Sequence, residues 1–319
     1  MRISSGNGDN SMSLIGKRLT ISKSDIFDIN RRVTAHATST GWGDTPHATY
    51  LYEPDITEFY SYYQKQRESL ENKHPITFTV VMLKAISEAL KMTPKLNAFL
   101  QYNRRTKVGT HHHIKEISIT VPYLLPDRRM ITPSIHDAGQ KTLQEIAEAL
   151  SDIKRRVQNT DIDAMQYVVA KHEIIEHLKH FNLAALRQIF HTKLGKYRLH
   201  IGRKRIKEYL RIPDKDKITV DDIFDTSVLV SNLGSVFRQQ KGGITLLDLI
   251  SPQVFAVAIN AVQDRASVYA DEGEKKIGIR KILPLSLTID HRALDGADFI
   301  PFQDQLDRIF SNPSVLDEW

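Results

Sequence analysis

The chain has 319 residues, of which 41% are hydrophobic and 26% are charged, so it is long and apolar enough to build the core of a globular protein. Its 44 lysines and arginines exceed its 38 aspartates and glutamates by only six, so the net charge gives little reason to expect a nucleic-acid partner. It contains no cysteine, which excludes disulfide bonds and thiol nucleophiles and favours a cytoplasmic protein, and no run of about 18 apolar residues that would predict a transmembrane helix.

Helical and extended patterns alternate along the chain. Residues 1–12 are polar and lack the apolar stretch of a signal peptide, so we expect a flexible tail followed by a single domain over 13–319. The predicted helices cover about 24–38, 55–72, 78–92, 142–157 and 297–310, and the predicted strands 46–52, 112–122, 130–135, 227–230, 255–261 and 282–289. This alternation indicates an α/β fold in which helices pack on a mixed sheet in two layers.

A dense cluster of ionisable groups follows the last predicted strand. His291 stands between Asp290 and Arg292, and Asp295 and Gly296 follow. A strand that delivers an imidazole to a loop is a common way to present a general base. Asp290 cannot easily orient the ring, because neighbours on a strand point to opposite faces. Asp295 either contacts His291 in a helical turn or pairs with an arginine elsewhere, and the need of a buried carboxylate for a partner favours the arginine. Gly296 permits a backbone angle that other residues reach at a cost.

The string from Asp290 to Gly296 resembles the active-site signature of the acyltransferase components of 2-oxo-acid dehydrogenase complexes. Chloramphenicol acetyltransferases carry a related motif. Three other stretches are similar to the same family: the Ser-Asn-Leu-Gly turn within 230–235, the segment 251–258, and the early helix within 76–97. Together these stretches cover most of 13–158 and 224–319. The resemblance implies a chloramphenicol acetyltransferase-like fold.

The resemblance also implies roles for the residues of both motifs. His291 would be the general base and Ser231 the hydroxyl that stabilises the oxyanion, although Ser235 lies in the same turn. Asn232 and Gly234 would shape that turn. No covalent acyl-enzyme is needed, since the acceptor attacks the thioester directly.

Other positions would hold the histidine loop in place. In the family, the aspartate of the motif, here Asp295, pairs with an arginine of the first helix. Arg31 and Arg32 are both eligible, and the sequence does not choose between them. Arg292 is expected to make a structural contact.

Members of this family assemble as trimers, and larger cages are built from the trimers. The resemblance therefore predicts a homotrimer or larger assembly, with His291 of one subunit facing Ser231 of the next. Coenzyme A would be the acyl donor and a dihydrolipoyl thiol the default acceptor. This chain shows no lipoyl lysine, so a lipoyl-bearing protein or other dehydrogenase-complex subunits would be partners, and we expect neither a membrane nor a nucleic acid.

Two departures from the family leave alternatives open. The family's Gly-Leu-(Ile/Val)-Xaa-Pro strand reads Arg-Met-Ile-Thr-Pro at 129–133, which puts lipoyl access in doubt. About 160–220 forms a long, partly helical and basic insertion, which we interpret as a surface or subunit-contact element, although it could also wall the acyl pocket. The chain could thus be a small-molecule O- or N-acyltransferase, or a non-catalytic trimeric scaffold of the same fold.

The histidines at 111–113 are too few for a zinc site without further ligands, so no metal is expected.

Overall fold

A computed structural model of the chain describes residues 22–69, 74–127, 129–179, 201–245 and 247–319. The helices in these ranges are α1 (Ile29–Asp44), α2 (Thr57–Ser69), α3 (Phe78–Lys91), α4 (Leu143–Gln158), α5 (Ile162–Lys179), α6 (Arg203–Arg211), α7 (Leu233–Val236) and α8 (Ile300–Ser311). The strands are β1 (His47–Tyr52), β2 (Ala98–Asn103), β3 (Val108–His113), β4 (Ile119–Thr120), β5 (Tyr123–Leu124), β6 (Met130–Ile131), β7 (Ser134–Ile135), β8 (Val228–Asn232), β9 (Phe255–Ile259), β10 (Gln263–Asp271), β11 (Glu274–Ile282) and β12 (Leu285–Asp290). The tail predicted at 1–12 and part of the predicted insertion lie outside the described residues.

Six strands form one sheet in the order β1-β12-β9-β8-β4-β7. Strand β8 runs parallel to β4 and to β9, whereas β12 runs antiparallel to β1 and to β9, and β7 antiparallel to β4. The sheet is therefore mixed, as the varied lengths of the connections predict, and the α/β fold class is confirmed.

Both faces of the central strands are buried. Val230 and Val257 belong to the main core, where α3 packs between α4 and α8. Leu229 and Ala256 lie one position earlier on the same two strands, so their side chains point to the other face. There they form a second cluster with Leu249. The segment around Leu249, which precedes β9, thus covers the face of the sheet opposite the helices.

The structure differs from the prediction in two hairpins and in the start of α1. Strands β2 and β3 pair with each other, and β10 and β11 form a hairpin of two nine-residue strands that is largely exposed on both sides. Helix α1 begins at Ile29 because the Asp28 side chain accepts a hydrogen bond from the backbone N–H of Arg31 at 2.7 Å and caps the helix. Helix α4 begins with a capping box formed by Thr142 and Glu145.

The helices of the 160–220 region are fixed to the domain by ion pairs. Arg129 binds Asp163 in the first turn of α5, and Arg205 of α6 binds both Asp161 and Asp163. The buried Tyr209 hydroxyl donates a hydrogen bond to the carbonyl oxygen of Ile218 at 2.7 Å. The Arg129 side chain therefore holds α5 against the β5–β6 hairpin.

Asp222 and Arg156 form a largely buried ion pair that should make stability depend on pH. Burial alone raises the pKa of the Asp222 carboxyl, but hydrogen bonds from Arg156 and Thr219 outweigh it and keep that pKa below its ordinary value of 3.8. The pair therefore stabilises the fold above about pH 4, and this contribution is lost as the pH falls through the lowered pKa. We expect Asp222→Asn to reduce the free energy of unfolding by about 3 kcal/mol at pH 7, because it leaves the Arg156 guanidinium buried without this partner.

Urea denaturation between pH 3 and pH 7 checks this expectation. The difference between wild type and Asp222→Asn should shrink below about pH 4, where the carboxyl of the unfolded chain takes up its proton before the native one does. The matched control is Asp216→Asn, which opens the exposed pair with Arg155 and should change stability far less. Equal effects of the two substitutions would contradict the assignment.

Candidate active site

His291 follows directly from β12 and is held by its backbone. Its N–H donates to the carbonyl oxygen of Pro46 at 2.9 Å, and the N–H of Asp290 donates to the carbonyl oxygen of Val254 at the same distance. Every residue of β12 is buried, whereas the His291 side chain is 51% exposed. A rigid buried strand therefore presents an imidazole at the surface of the chain.

The environment of the ring defines which nitrogen carries the proton. Nδ1 of His291 lies 3.0 Å from the carbonyl oxygen of Leu294 and 3.4 Å from Oδ1 of Asp295. A carbonyl oxygen can only accept, so Nδ1 carries the proton and donates it. In the neutral imidazole, Nε2 then carries the lone pair and is the nitrogen that can act as a base. The sequence gives no signal for the Leu294 contact, because the partner is a backbone group.

Arg292 holds the loop that carries His291. Its guanidinium makes hydrogen bonds of 2.6–3.1 Å to both oxygens of the Asp290 carboxylate, which is almost fully buried. The same guanidinium donates to the Thr45 hydroxyl at 3.3 Å and lies 5.8 Å from the centre of the Tyr102 ring. This carboxylate keeps the pKa of the Arg292 guanidinium above its ordinary value. The structural contact expected for Arg292 therefore joins the loop to the end of α1 and to the β2–β3 hairpin.

The surroundings of Asp295 and Gly296 differ from the expectation. Within the part of the chain that the structure describes, no ion pair joins Asp295 to Arg31 or Arg32, and the carboxylate of Asp295 faces His291 instead. Both arginines lie in the first turn of α1, whereas the last turn of α1 is the one that reaches the histidine loop. Gly296 opens a short 3₁₀ helix without a positive φ, and an added Cβ would meet nothing within 4 Å, so the left-handed backbone expected there is not required.

Ser231 lies near the end of β8, immediately before a tight turn. The Asn232 side chain caps this turn by accepting from the N–H of Ser235 at 2.9 Å, and its amide donates to the Thr79 hydroxyl at 3.0 Å. The Ser235 hydroxyl is committed, since it donates to the carbonyl oxygen of Asn232 at 2.8 Å. Among the described residues, no hydrogen bond involves the Ser231 hydroxyl. Of the two serines in the turn, Ser231 is thus the one with a free donor.

Gly234 allows this turn to pack closely against the chain after β9. A Cβ at position 234 would lie 2.6 Å from the carbonyl oxygen of Asn260. That distance is shorter than backbone atoms tolerate, so the position requires glycine. The orienting role expected for Gly234 thus has a physical basis, which is the close approach of its backbone to the backbone of Asn260.

Two cavities adjoin the two motifs. The first, of about 230 Å³, is lined by Asn232 and Gly234 together with the side chains of Arg67 and Arg238. The second is a groove of about 470 Å³ beside His291, whose wall includes Tyr50. The sequence interpretation missed both arginines of the first cavity, because neither belongs to a motif or to a charge cluster.

His291 and Ser231 of one chain lie at opposite ends of the inner strands of the sheet, where only β9 separates β8 from β12. Ser231 is level with Ala258 on β9, which is level with Ser286 near the start of β12. His291 follows five residues after Ser286. With about 3.3 Å per residue and about 4.8 Å between strands, the two side chains are on the order of 20 Å apart. One chain therefore does not bring its two motifs together.

The histidines of β3 form a pair and no larger cluster. His111 and His113 share one face of the strand, with ring centres 4.9 Å apart. Partial burial and the neighbouring His113 lower the pKa of His111. No group of three or more histidine, aspartate and glutamate side chains suited to a metal ion occurs in the described ranges, and no helix in them is both long and apolar enough to cross a membrane.

The chain matches the family model of the 2-oxoacid dehydrogenases acyltransferase catalytic domain over residues 23–171 and 200–317. It is 25% identical over 270 residues to the dihydrolipoyllysine-residue acetyltransferase component of the pyruvate dehydrogenase complex of Corynebacterium glutamicum. Its identity to the component of that name in Staphylococcus aureus is 22% over 288 residues. These alignments cover 84% and 90% of this chain but only 30% and 51% of the relatives.

Solved structures show the same fold. The cubic core of the pyruvate dehydrogenase multienzyme complex superimposes with a TM-score of 0.62 at 18% identity, covering 92% of this chain and 93% of that one. A structure of Azotobacter vinelandii dihydrolipoamide acetyltransferase gives 0.61 at 18% identity, with the same coverage. It was determined to investigate a serine, a histidine and an asparagine in the catalytic mechanism of that enzyme.

Proposed function

Because the chain belongs to the family of 2-oxoacid dehydrogenase acyltransferase catalytic domains, we propose that it transfers an acyl group between coenzyme A and a thiol acceptor of the dihydrolipoyl type. The observation that carries this proposal is the state of His291. Its Nδ1–H donates to the Leu294 carbonyl, so that in the neutral imidazole Nε2 carries the lone pair on an exposed ring. A base in this state can take the proton of a thiol near neutral pH.

The transfer proceeds by direct attack. Nε2 of His291 takes the proton of the acceptor thiol, and the sulfur adds to the carbonyl carbon of the acyl-CoA thioester. The negative charge that develops on the carbonyl oxygen accepts a hydrogen bond from the Ser231 hydroxyl. When the tetrahedral intermediate collapses, the bond to the sulfur of coenzyme A breaks, and that sulfur takes the proton back from the imidazolium. The acyl group ends on the acceptor without a covalent acyl-enzyme.

Asp295 would support this cycle through its position beside His291. Its carboxylate lies 3.4 Å from Nδ1, so it favours the imidazolium that forms when Nε2 takes the proton. In the Azotobacter vinelandii enzyme, the asparagine under study follows the histidine by four positions. Asp295 follows His291 by the same number.

The active site would form between copies of this chain. The two motifs lie at opposite ends of the inner strands of the sheet, so a base and an oxyanion donor meet only when a second copy supplies one of them. We propose a homotrimer or a larger assembly of trimers, in which His291 of one subunit faces Ser231 of the next. The likeness to a cubic core supports assembly of this kind. Lipoyl-bearing proteins or other subunits of a dehydrogenase complex would be the partners.

The donor and acceptor would approach from the two cavities. Arg67 and Arg238 place two guanidinium groups in the cavity beside the Ser231 turn, which suits the phosphates of coenzyme A. The acceptor would enter through the groove beside His291. We infer that residues 13–319 form one acyltransferase domain. We also infer a cytoplasmic location, which the absence of cysteine from the sequence supports.

The proposal is tested by incubating the purified protein with a series of acyl-CoA thioesters and dihydrolipoamide, and by separating S-acyl-dihydrolipoamide and free coenzyme A by chromatography. We expect equal amounts of both products, at a rate proportional to the protein. A hydroxyl and an amine acceptor are run in parallel. Transfer confined to one of these would replace the proposal by a small-molecule acyltransferase, and a protein that assembles without any turnover would be a scaffold.

A further inference from the structure

The groove beside His291 has a wall that is mostly apolar. The apolar side chains come from β1, from β12 and from the segment around the start of α8, and they are Ala48, Tyr50, Ile289, Phe299 and Ile300. Such a wall suits a ligand with a saturated carbon chain, because apolar surface leaves water when that chain binds.

Three polar side chains line the same groove, and two of them already have partners. The Thr49 hydroxyl shares a hydrogen bond of 3.1 Å with the Thr288 hydroxyl. The His291 ring is oriented by the Leu294 carbonyl, and its Nε2 is assigned to the acceptor proton. In the part of the chain that the structure describes, no hydrogen bond involves the amide of Gln303. Of these three side chains, Gln303 is thus the one that can bind a part of the ligand other than its reacting group.

Gln303 lies at a defined distance from the histidine loop. Gly296, beside His291, opens a 3₁₀ helix that continues into α8, and Gln303 follows it by seven positions. Both residues line the groove, and with a helical rise of about 1.5 Å per residue they are on the order of 10 Å apart. Phe302 and Leu306 are fully buried, so α8 is held firmly and position 303 is fixed.

Dihydrolipoamide matches this arrangement, because it carries its thiols and its carboxamide at opposite ends of a saturated chain. With carbon–carbon bonds of about 1.5 Å, the extended chain between them also spans about 10 Å. When a thiol lies at Nε2 of His291, the chain can follow the apolar wall and bring its carboxamide to Gln303. Two carboxamides pair well, since the N–H of each donates to the carbonyl oxygen of the other.

The charges around the groove favour a neutral amide over a free acid. Within the described residues, its lining contains no lysine or arginine, and the nearby Asp295 carries a negative charge beside His291. A carboxylate can accept from the Gln303 amide, but it offers no donor to the Gln303 carbonyl oxygen. It would also lose water next to an apolar wall without gaining a cation.

We propose that Gln303 selects the acceptor by pairing with the carboxamide of the dihydrolipoyl group, so that the acceptor is an amide of dihydrolipoic acid and not the free acid. This inference rests on the proposed acyl transfer and names the part of the acceptor that the groove recognises. Gln303 transfers no proton, so its loss should raise KM for the acceptor and change kcat little.

The experiment compares dihydrolipoamide, dihydrolipoic acid and 1,3-propanedithiol as acceptors from one acyl-CoA. For the wild type, kcat/KM for dihydrolipoamide should exceed that for dihydrolipoic acid at least about fivefold, the effect of one net hydrogen bond. Gln303→Leu should raise KM for dihydrolipoamide about fivefold and affect 1,3-propanedithiol far less, because that acceptor ends short of position 303. The matched control is Gln305→Leu, which changes another glutamine of α8 outside the groove and should keep the wild-type preference.

A second variant, Gln303→Lys, places an ammonium group at the same position and should reverse the preference in favour of dihydrolipoic acid. Equal use of the amide and the acid by the wild type would overturn the inference and leave acyl transfer in place. Equal losses with all three acceptors in Gln303→Leu would also overturn it, since that pattern indicates a structural defect. Absence of transfer to every thiol would overturn the proposed function together with this inference.

Discussion

Replacement of His291 by alanine should lower the rate of acyl transfer from acyl-CoA to dihydrolipoamide by at least about 100-fold, the effect of losing a general base. The variant should fold normally, because the His291 side chain is half exposed and its ring bonds only to the loop that carries it. The loss should appear in kcat, with KM for acyl-CoA nearly unchanged, since the imidazole acts on the acceptor proton.

The matched control for this variant is His112→Ala. His112 is an exposed histidine of the β2–β3 hairpin with one long contact of 3.4 Å to Gln101. It should retain the wild-type rate. If His291→Ala retained that rate as well, His291 would not be the base.

Ser231→Ala should lower the same rate of acyl transfer by about 100- to 1,000-fold, as the loss of one oxyanion donor does elsewhere.

The stronger prediction concerns mixtures of the two single variants. When Ser231→Ala and His291→Ala chains are produced together, some sites receive His291 from one variant and Ser231 from the other. For random assembly in a closed ring, activity should recover to about one quarter of the wild-type value.

Two controls accompany the mixing experiment. Ser267→Ala, on the β10–β11 hairpin, should leave the rate unchanged. A mixture of His291→Ala with the double variant, which carries alanine at both positions 231 and 291, should show no recovery. If the two single variants also failed to complement, the site between subunits would have to be abandoned.

The sequence predicts the residues of the candidate site better than their surroundings. The cluster after β12 is dense enough to single out His291, and an apolar strand before it predicts how the ring is delivered. The proton on Nδ1 could not be predicted, because it depends on the Leu294 carbonyl and hence on the shape of the turn. The choice between Ser231 and Ser235 likewise depends on a backbone contact, the bond from the Ser235 hydroxyl to Asn232.

Tertiary contacts explain where the sequence interpretation of the fold was incomplete. The direction of α1 is fixed at its last turn, where a Cβ at Gly41 would lie 2.5 Å from the carbonyl oxygen of Leu249, and no local pattern reports such a contact. The β10–β11 hairpin has no buried face, and its apolar residues Val268, Ile277 and Ile279 are exposed, so they do not indicate a strand that faces the core. The turn of this hairpin does carry a sequence signal, which is Gly273. In the structure Glu272 and Gly273 both have positive φ, as residues of tight hairpin turns do.

The placement of His291 and Ser231 at opposite ends of the strands of one sheet has a consequence for a newly synthesised chain, if the active site forms between subunits as proposed. A monomer can complete its sheet and its core and still hold only half of each reaction centre. Under the proposed assembly, such a monomer would be an inactive precursor that does not consume acyl-CoA thioesters until it meets further copies. Specific activity would then rise with protein concentration until assembly is complete, so that the supply of subunits would set when turnover begins.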